Sequence, residues 1–263
     1  MRQRKNNFGV NLISIVIPAY NQEKTIISDI RNVNNTLQTL GYKYEVIVVN
    51  DGSTDSTFRK ALTLKSYKIK IIGYEHNQGK GHAIRFGMMQ AKGDIIGFID
   101  SGRDIHPNGL SMLLSHMEWY NADIIVGSKL HSVSKVNYPL ARKILSWGYR
   151  LLTRILFGFR IRDTQVGMKF FKRKVIKDVL PRLLVKKYAL DIEILAVAYR
   201  LGYRRIYEAP VQIKFKGNTI TSWNVWETIL NMLWDTLAVF YRLKILHYYD
   251  NKNFRYTKIS KLP

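Results

Sequence analysis

Short apolar runs alternate along the first half of the chain with segments whose apolar residues recur at helical spacing. The runs are five or six residues long and rich in β-branched residues, which favours buried strands. They are ISIVI, YEVIVV, IKIIGY, DIIGFI and DIIVG, at residues 13–17, 44–49, 69–74, 94–99 and 123–127. Helices are predicted between them over residues 23–40, 55–65, 80–91 and 107–120. This alternation is typical of an α/β, Rossmann-like fold, with a mostly parallel sheet and helices on both faces.

The second half is less regular and carries two amphipathic segments. The patterns there predict helices over 138–158, 172–180, 189–201 and 222–246, an irregular to extended segment over 160–171, and a strand over 204–215. The last helix places six apolar residues roughly on one stripe, which are Trp223, Trp226, Leu230, Leu233, Leu237 and Tyr241. We interpret residues 1–220 as one α/β domain and 221–263 as an amphipathic helix with a basic tail. The stripe either contacts a membrane surface or packs on the domain.

The charge of the chain is strongly positive and uneven. The net charge is +23. Residues 1–130 hold 16 Lys and Arg against 11 Asp and Glu, whereas residues 131–263 hold 26 against 8. A basic half indicates a polyanionic partner, such as an anionic membrane surface or phosphorylated ligands, or it serves solubility alone. A nucleic acid is disfavoured, because no base-reading module is recognisable.

Cysteine usage and apolar run lengths exclude several classes of protein. The chain has no cysteine, which removes disulfides, thiol nucleophiles and thiolate zinc sites. Its basic, then apolar N-terminus differs from a secretory signal, because the apolar part is short, is interrupted by Pro18 and lacks a small-residue cleavage site. No uncharged apolar run reaches the roughly 18 residues of a spanning helix. We therefore expect a protein that does not cross a membrane but could lie on one.

Four polar segments follow the predicted strands and should meet at one place. They are PAYNQ, NDGSTD, HNQGKG and DSGRD, which begin at residues 18, 50, 76 and 100. Ligands of open α/β sheets bind beyond the carboxyl ends of the strands. The sequence therefore predicts one ligand-binding crevice built from these four loops.

The residue types in these loops favour a phosphorylated nucleotide and a hard cation. Asp51 closes a strand, where a carboxylate suits hydrogen bonds to a ribose or base. Lys80 lies between two glycines at a predicted helix start, which favours a phosphate. Asp100 and Asp104 offer oxygen ligands for Mg²⁺ together with substrate phosphates, although Asp104 could instead cap the helix that Pro107 opens.

Taken in order, these blocks resemble the family 2 glycosyltransferases of the GT-A fold. The resemblance rests on SIVIPAYNQEKTI, VIVVNDGSTDST, HNQGKGHAIRFGM and DIIGFIDSGRDIHP, and continues through IIVGSK, RDTQVGMKFFKRKVI and the segment from YALDIEIL to FKGNT. It covers roughly residues 12–220, which would then be the catalytic domain. The closest likeness is to the polyprenyl-phosphate glycosyltransferases of the dolichyl-phosphate glucosyl- and mannosyltransferase type. The QxxRW signature of processive polysaccharide synthases is absent.

The resemblance implies roles for individual residues. The nucleotide-sugar is expected at Pro18, Tyr20, Asn21, Glu23, Asp51, Lys80, Ser101 and Lys216. The catalytic set is expected to be Asp100, Asp104, Asp163 and Gln165, with Asp100 and Asp104 as the metal ligands. The acceptor phosphate is expected at Lys129, Arg142 and Ser146. Asp191 and Glu193 match an acidic pair behind the site.

Three positions depart from the family pattern. Gly102 stands where the second Asp of the DxD metal motif is expected, so the motif reads DSG. Asn50 stands where an Asp is common. Lys129 replaces an Arg, which removes the bidentate fork of the guanidinium.

The resemblance implies an inverting transferase that uses a divalent metal, Mg²⁺ or Mn²⁺. It would move a sugar from a nucleotide-diphospho-sugar to a polyprenyl or dolichyl phosphate, peripherally at the cytosolic face of a membrane. The DTQ block followed by GxK favours UDP-glucose as the donor, with GDP-mannose possible. Two alternatives remain: a pseudoenzyme or regulatory subunit whose metal site is degraded at Gly102, and a soluble transferase with a non-lipid acceptor.

Overall fold

The structure is a computed structural model that describes residues 9–102, 108–128, 140–158, 161–211 and 223–250. The described residues form one seven-stranded sheet flanked by eight α-helices. The strands are β1 Leu12–Ala19, β2 Lys43–Asp51, β3 Ile69–Tyr74, β4 Ile95–Ile99, β5 Ile124–Ser128, β6 Met168–Lys172 and β7 Ile206–Pro210. The helices are α1 Ile26–Thr39, α2 Thr57–Leu62, α3 Lys80–Met89, α4 Asn108–Trp119, α5 Leu140–Phe157, α6 Arg173–Val179, α7 Leu190–Arg200 and α8 Trp223–Phe240.

The sheet is mostly parallel, as the sequence predicts. Its strand order is β3-β2-β1-β4-β6-β5-β7. The pairs among β3, β2, β1 and β4 are parallel, and so is the pair of β5 with β7. Strand β6 runs antiparallel between β4 and β5. The four neighbouring parallel strands bring the loops after β1, β2 and β4 to one edge of the sheet.

The central strands β1, β2 and β4 are buried on both faces, which explains their largely apolar sequences. In β2, Val46 and Val48 pack into the core on one face, together with α1 and α4. The alternate residues Ile47 and Val49 pack into the core on the other face, with α3, α6 and α7. Because successive side chains of a strand point to opposite faces, a strand buried on both sides needs apolar residues throughout.

Three predicted elements differ from the structure in extent or type. The segment predicted as irregular to extended over 160–171 contains the regular strand β6. The strand predicted over 204–215 is observed only as Ile206–Pro210, and residues 212–220 lie outside the described residues. The last helix ends as an α-helix at Phe240 and continues as a π-helical segment, Tyr241–Ile245.

The residues after α8 fold back onto α7. Tyr249 is fully buried, and its hydroxyl donates to Glu193 Oε1 at 2.6 Å. Glu193 also accepts from the backbone N–H groups of Leu184 and Val185. Burial raises the pKa of Glu193 although these hydrogen bonds and nearby Arg242 oppose the shift. Glu193 therefore ties the 183–185 loop and the chain after α8 to α7.

Candidate active site

A cavity of about 710 Å³ opens at the carboxyl ends of β1, β2 and β4. It lies where open α/β sheets bind ligands, so the predicted crevice is present. Six of the predicted nucleotide-sugar or metal residues line it, namely Pro18, Tyr20, Asp51, Lys80, Asp100 and Ser101.

Asp51 organises the loop between β3 and α3. Its side chain is only 2% exposed. The carboxylate accepts hydrogen bonds from Tyr74 Oη at 2.7 Å, from Asn77 Nδ2 at 3.1 Å, and from the backbone N–H groups of Gln78 and Gly79 at 2.9 and 3.1 Å. A carboxylate has about four lone-pair positions, and these donors occupy them. In this structure Asp51 therefore shapes the wall of the cavity, and a direct contact with a base or ribose remains a prediction.

The start of α3 offers fewer free amides to a phosphate than the glycines flanking Lys80 indicate. The His82 N–H donates to Lys186 O at 3.0 Å, so it is already taken. A Cβ added at Gly81 would lie 2.7 Å from Lys187 O, which shows how closely this loop approaches the helix. The cationic side chain of Lys80 is thus the stronger candidate contact for a phosphate here.

Asn21 and Glu23 connect the loops after β1 and β2 instead of lining the cavity. Asn21 Oδ1 accepts from the Thr54 N–H at 2.9 Å, and the Asn21 N–H donates to Ser53 Oγ at 3.1 Å. Glu23 Oε2 accepts from the Ser56 N–H at 3.3 Å. These bonds fix one loop against the other and hold Tyr20 at the cavity edge. Their predicted contact with the nucleotide remains a prediction.

Lys80 and Asp100 form an ion pair at the base of the cavity. Lys80 Nζ lies 2.7 Å from Asp100 Oδ2 and 3.6 Å from Asp191 Oδ2. Behind them, the fully buried Lys169 pairs with Asp191 Oδ1 and donates to Val166 O at 2.7 Å. Four charged groups of alternating sign therefore extend from the cavity into the core.

The pKa values of the two lysines move in opposite directions. Burial lowers the pKa of Lys80, but the charges of Asp100 and Asp191 raise it more, so the net pKa lies above its ordinary value. Burial also lowers the pKa of Lys169, and there the opposing charge of Asp191 does not restore the ordinary value. The Lys80 ammonium group remains cationic at neutral pH and available to an anionic ligand.

The position of Asp100 depends on Gly167. The Asp100 N–H donates to Gly167 O at 2.8 Å. A Cβ added at Gly167 would lie 1.8 Å from Asp100 Oδ2 and 2.1 Å from its Cγ. The carboxylate therefore occupies space that only a glycine at 167 leaves open.

Gly102 has a backbone conformation that favours glycine. Its φ is +106°, and its N–H donates to the buried Asp29 Oδ2 at 3.0 Å. Among the described residues, a Cβ there would meet nothing closer than 3.7 Å, so the constraint that they show is conformational. Nearby, Ser101 Oγ donates to Pro18 O at 2.8 Å, which joins the ends of β4 and β1. The DSG sequence thus closes a tight turn at this sheet edge.

Asp100 also meets one requirement of a metal ligand. Its Oδ1 is buried and accepts no hydrogen bond from the described residues, while Oδ2 faces Lys80. A hard cation prefers such a carboxylate oxygen. Asp104 lies outside the described residues. Within the described part of the chain, no three His, Cys, Asp or Glu side chains are grouped so as to hold an ion by themselves.

Of the remaining predicted site residues, the three whose side chains the structure describes, Asp163, Gln165 and Ser146, do not line the cavity. Gln165 is turned toward α5, where its Nε2 lies 3.4 Å from Tyr149 Oη. The Asp163 N–H donates to Glu208 Oε1 at 2.9 Å. Ser146 is exposed on α5. The side chain of Arg142 lies outside the described residues, as do Lys129 and Lys216.

Several cavity residues are not among those that the sequence predicts to bind a ligand. Lys187 and Tyr188 belong to the loop before α7, which reaches the cavity by docking against the start of α3. Helix α8 contributes four further lining residues, which are Glu227, Asn231, Met232 and Asp235. Their spacing of about four residues marks one helix face, but the apolar stripe dominates the pattern of this segment.

Comparison with known proteins agrees with the geometry. The profile of "Glycosyl transferase family 2" matches residues 14–180. This span includes β1, β2 and β4 with the loops after them, whereas the loop before α7 and helix α8, which also line the cavity, lie beyond it. The chain belongs to glycosyl transferase family 2.

Two curated relatives have a narrower description. The dolichyl-phosphate beta-glucosyltransferase of Drosophila melanogaster is 31% identical over 241 residues, which cover 84% of this chain and 74% of that protein. The dolichyl-phosphate beta-glucosyltransferase of Homo sapiens is 33% identical over 204 residues, which cover 71% of this chain and 62% of that protein.

The fold is also found among solved structures. Glucosyl-3-phosphoglycerate synthase from Mycobacterium tuberculosis, crystallised with Mn²⁺, UDP and glucosyl-3-phosphoglycerate, superimposes with a TM-score of 0.67. The match covers 88% of this chain and 80% of that chain at 22% identity. The predicted α/β fold of GT-A type is confirmed.

Proposed function

We propose that this protein transfers glucose from UDP-glucose to a polyprenyl phosphate, with dolichyl phosphate as the preferred acceptor. The donor half of the proposal rests on the cavity at the sheet edge, where Lys80 and Asp100 lie side by side. The acceptor half rests on the dolichyl-phosphate beta-glucosyltransferases that resemble most of the chain. GDP-mannose is the second candidate donor.

The charged groups at the cavity base suit the departure of a nucleoside diphosphate. As the bond between the anomeric carbon and the diphosphate breaks, negative charge grows on the leaving group. Lys80 lies fixed between two carboxylates before the substrate arrives, so its positive charge needs little reorganisation. It would stabilise the developing charge and, together with Asp100, orient the diphosphate.

The acceptor needs no general base. A phosphate monoester is already an anion at neutral pH, because its first ionisation is complete. One phosphate oxygen would form a bond to the anomeric carbon while the bond to UDP breaks on the opposite side, which inverts the configuration. The protein must hold the two anions together against their repulsion. Lys129, Arg142 and Ser146 stay the proposed acceptor-phosphate contacts, and Asp163 and Gln165 the proposed contacts near the transferred sugar.

Asp100 Oδ1 is the proposed protein ligand for Mg²⁺ or Mn²⁺, with Asp104 as the second. When bound, the ion supplies further neutralisation of the diphosphate charge. The proposal takes support from the buried, unpartnered oxygen of Asp100, and Gly102 need not contribute a carboxylate if the diphosphate oxygens complete the ligand shell.

A surface on α5 and α8 is the proposed contact with the membrane that carries the acceptor. It is formed by exposed apolar side chains, namely Trp147, Leu151 and Ile155 of α5 and Leu230, Trp234, Leu237 and Tyr241 around α8. No described helix is both long enough and apolar enough to cross a membrane. The surface fits an interfacial attachment at the cytosolic face. In this proposal residues 1–220 are the catalytic domain, and 221–263 add the membrane-associating helix and the basic tail.

A donor panel tests the reaction. The protein would be incubated with radiolabelled UDP-glucose, UDP-galactose or GDP-mannose, dolichyl phosphate in vesicles, and MgCl₂ or MnCl₂. We expect glucose to be transferred to the lipid, and EDTA to stop the transfer. Absence of transfer from every donor would favour a pseudoenzyme.

Flotation of the protein with the same vesicles tests the membrane contact. We expect it to float, and Trp234→Asp to weaken flotation without changing the melting temperature, because this side chain is 74% exposed. Efficient glucose transfer without vesicle binding would favour a transferase with a soluble acceptor.

A further inference from the structure

Helix α8 has two different faces, of which the outer one is the proposed membrane contact. Its outer face carries the exposed apolar residues Leu230 and Trp234. Beside it lies the face that lines the cavity, here called the inner face, with the exposed residues Glu227 and Asn231 and the partly buried Asp235. The three inner residues recur every fourth position and so lie on one side of the helix.

The rotation of α8 about its axis is fixed beside Asp235. The adjoining Thr236 is fully buried, and its hydroxyl lies 3.0 Å from Tyr149 Oη and 2.7 Å from Met232 O. Val239, one turn further on, is also fully buried. These contacts with the protein interior keep Asp235 directed toward the cavity.

The order of groups along the cavity shows which part of a nucleotide-sugar each wall can take. Asp51 and Tyr20 lie at the ends of β2 and β1, and Lys80 with Asp100 lies next to them beyond β4. A diphosphate placed at Lys80 directs the nucleoside to one side and the sugar to the other. The nucleoside contacts expected at Asp51 and Tyr20 and the diphosphate contact expected at Lys80 use no residue of α8, so the inner face of α8 is left without a ligand group.

The chemistry of this wall fits a sugar and disfavours a phosphate. Carboxylates accept hydrogen bonds from hydroxyl groups and repel phosphate oxygens, and an amide both donates and accepts. Burial raises the pKa of Asp235, an effect that nearby Lys187 and Arg242 oppose. The side chain is thus partly removed from solvent, where a hydrogen bond discriminates more strongly.

We propose that the inner face of α8 is the sugar-binding wall of the active site, with Asp235 and Asn231 hydrogen-bonding hydroxyl groups of the hexose that is transferred. This inference rests on the proposed function, since it assigns a subsite for that donor. It makes Asp235 a determinant of which sugar is accepted.

A binding experiment separates this inference from the transfer reaction. The dissociation constants of UDP, UDP-glucose and UDP-glucose analogues that each lack one hydroxyl would be measured by calorimetry with MnCl₂ present. The chains compared are the full-length wild type, Asp235→Asn and Asn231→Ala, with Asp178→Asn as the control. Asp178 is an exposed carboxylate on α6 that accepts a hydrogen bond from Tyr203 and does not line the cavity.

We expect Asp235→Asn to weaken the binding of UDP-glucose by about 10- to 100-fold, which is the range for loss of a hydrogen bond to a charged group. The affinity for UDP should not change. For one hydroxyl position, removing the hydroxyl should weaken binding to the wild type but not to the variant. Asp178→Asn should behave as the wild type. If Asp235→Asn does not fold, Asn231→Ala, at an exposed position, gives the same comparison.

Two results would overturn the inference. In one, the loss of affinity caused by each missing hydroxyl group is the same in the variants as in the wild type. In the other, the wild type binds none of the donors, which would also remove the donor half of the proposed function. Hydroxyl-dependent binding without transfer to dolichyl phosphate would support the sugar wall and contradict only the proposed acceptor.

Discussion

The contact between Gly167 and Asp100 permits a sharp test of the site, because one methyl group should move the central carboxylate. In Gly167→Ala the added Cβ would lie 1.8 Å from Asp100 Oδ2 and 2.1 Å from Asp100 Cγ. Both distances are far below van der Waals contact. The Asp100 Cβ lies 2.8 Å away, so rotation of the carboxylate alone does not relieve the overlap.

The size of the effect follows from the displacement. To reach ordinary contact the carboxylate must move by more than about 1 Å, and a misplacement of that size in an active site can cost about 100-fold in rate. The move also disturbs the 2.7 Å pair with Lys80, because Asp100 Oδ2, the atom that the new Cβ overlaps, is the one that contacts Lys80 Nζ. We therefore expect kcat/KM for glucose transfer to fall by about two orders of magnitude. Stability should fall by about 1–3 kcal/mol, as for other overpacked sites.

The assay compares kcat/KM and the melting temperature of Gly167→Ala with those of Gly148→Ala. Gly148 lies on α5, where an added Cβ meets no described atom within 4 Å, so this control should keep its activity and melt at or above the wild-type temperature. Wild-type kcat/KM in a folded Gly167→Ala protein would refute the assigned position of Asp100. A Gly148→Ala protein with the same loss would show that the effect is not specific to the site.

Three further predictions follow from the described contacts. Lys80→Met should lower kcat/KM in steady-state kinetics by at least about 100-fold and should weaken UDP binding in calorimetry. An unchanged affinity for UDP would contradict the role of Lys80 at the diphosphate. Gly102→Ala should lower the free energy of unfolding, measured by chemical denaturation, by about 1–2 kcal/mol, because the φ of Gly102 is +106°. Gly148→Ala should not lower it, and equal stabilities of the two variants would contradict the turn geometry at Gly102. Burial raises the pKa of Asp123, but its arginine and lysine partners lower it more, so the net pKa lies below its ordinary value. The stabilising contribution of Asp123 is therefore present above its ordinary pKa and is lost as the pH falls through the lowered pKa. Asp123→Asn should therefore melt below the wild type at neutral pH, and a difference that persists under strongly acid conditions would contradict this pairing.

The sheet could be predicted from the sequence where both faces of a strand are buried. The runs that form β1, β2, β3, β4 and β5 are mostly apolar, with single polar residues such as Ser14, Glu45 and Lys70, and their β-branched residues favour strands. Strand β6 is predicted only as part of an irregular to extended segment, and Lys169 within it indicates exposure, since lysines are rarely buried. Lys169 is nonetheless fully buried, since Asp191 arrives from α7 to pair with it. No local pattern contains that partnership.

The site was predictable only where it is made by loops that directly follow strands. Asp51, Lys80 and Asp100 were located through the rule that ligands bind at the carboxyl ends of parallel strands. Asp51, however, bonds to its own protein, and this depends on how the 77–79 loop folds over it. The wall contributed by α8 depends on where a distant helix packs. Its apolar stripe was visible in the sequence, but the polar residues between the stripe positions were not interpreted.

The most direct test of the central claim is the product formed from UDP-glucose and dolichyl phosphate in the presence of Mn²⁺. We predict one glucosyl phosphate lipid with the β configuration at the anomeric carbon, identified by mass and by NMR, together with release of UDP. Asp100→Ala should form none of it while melting cooperatively. Undiminished product from Asp100→Ala, a product of α configuration, or no product from the folded wild type would contradict the account.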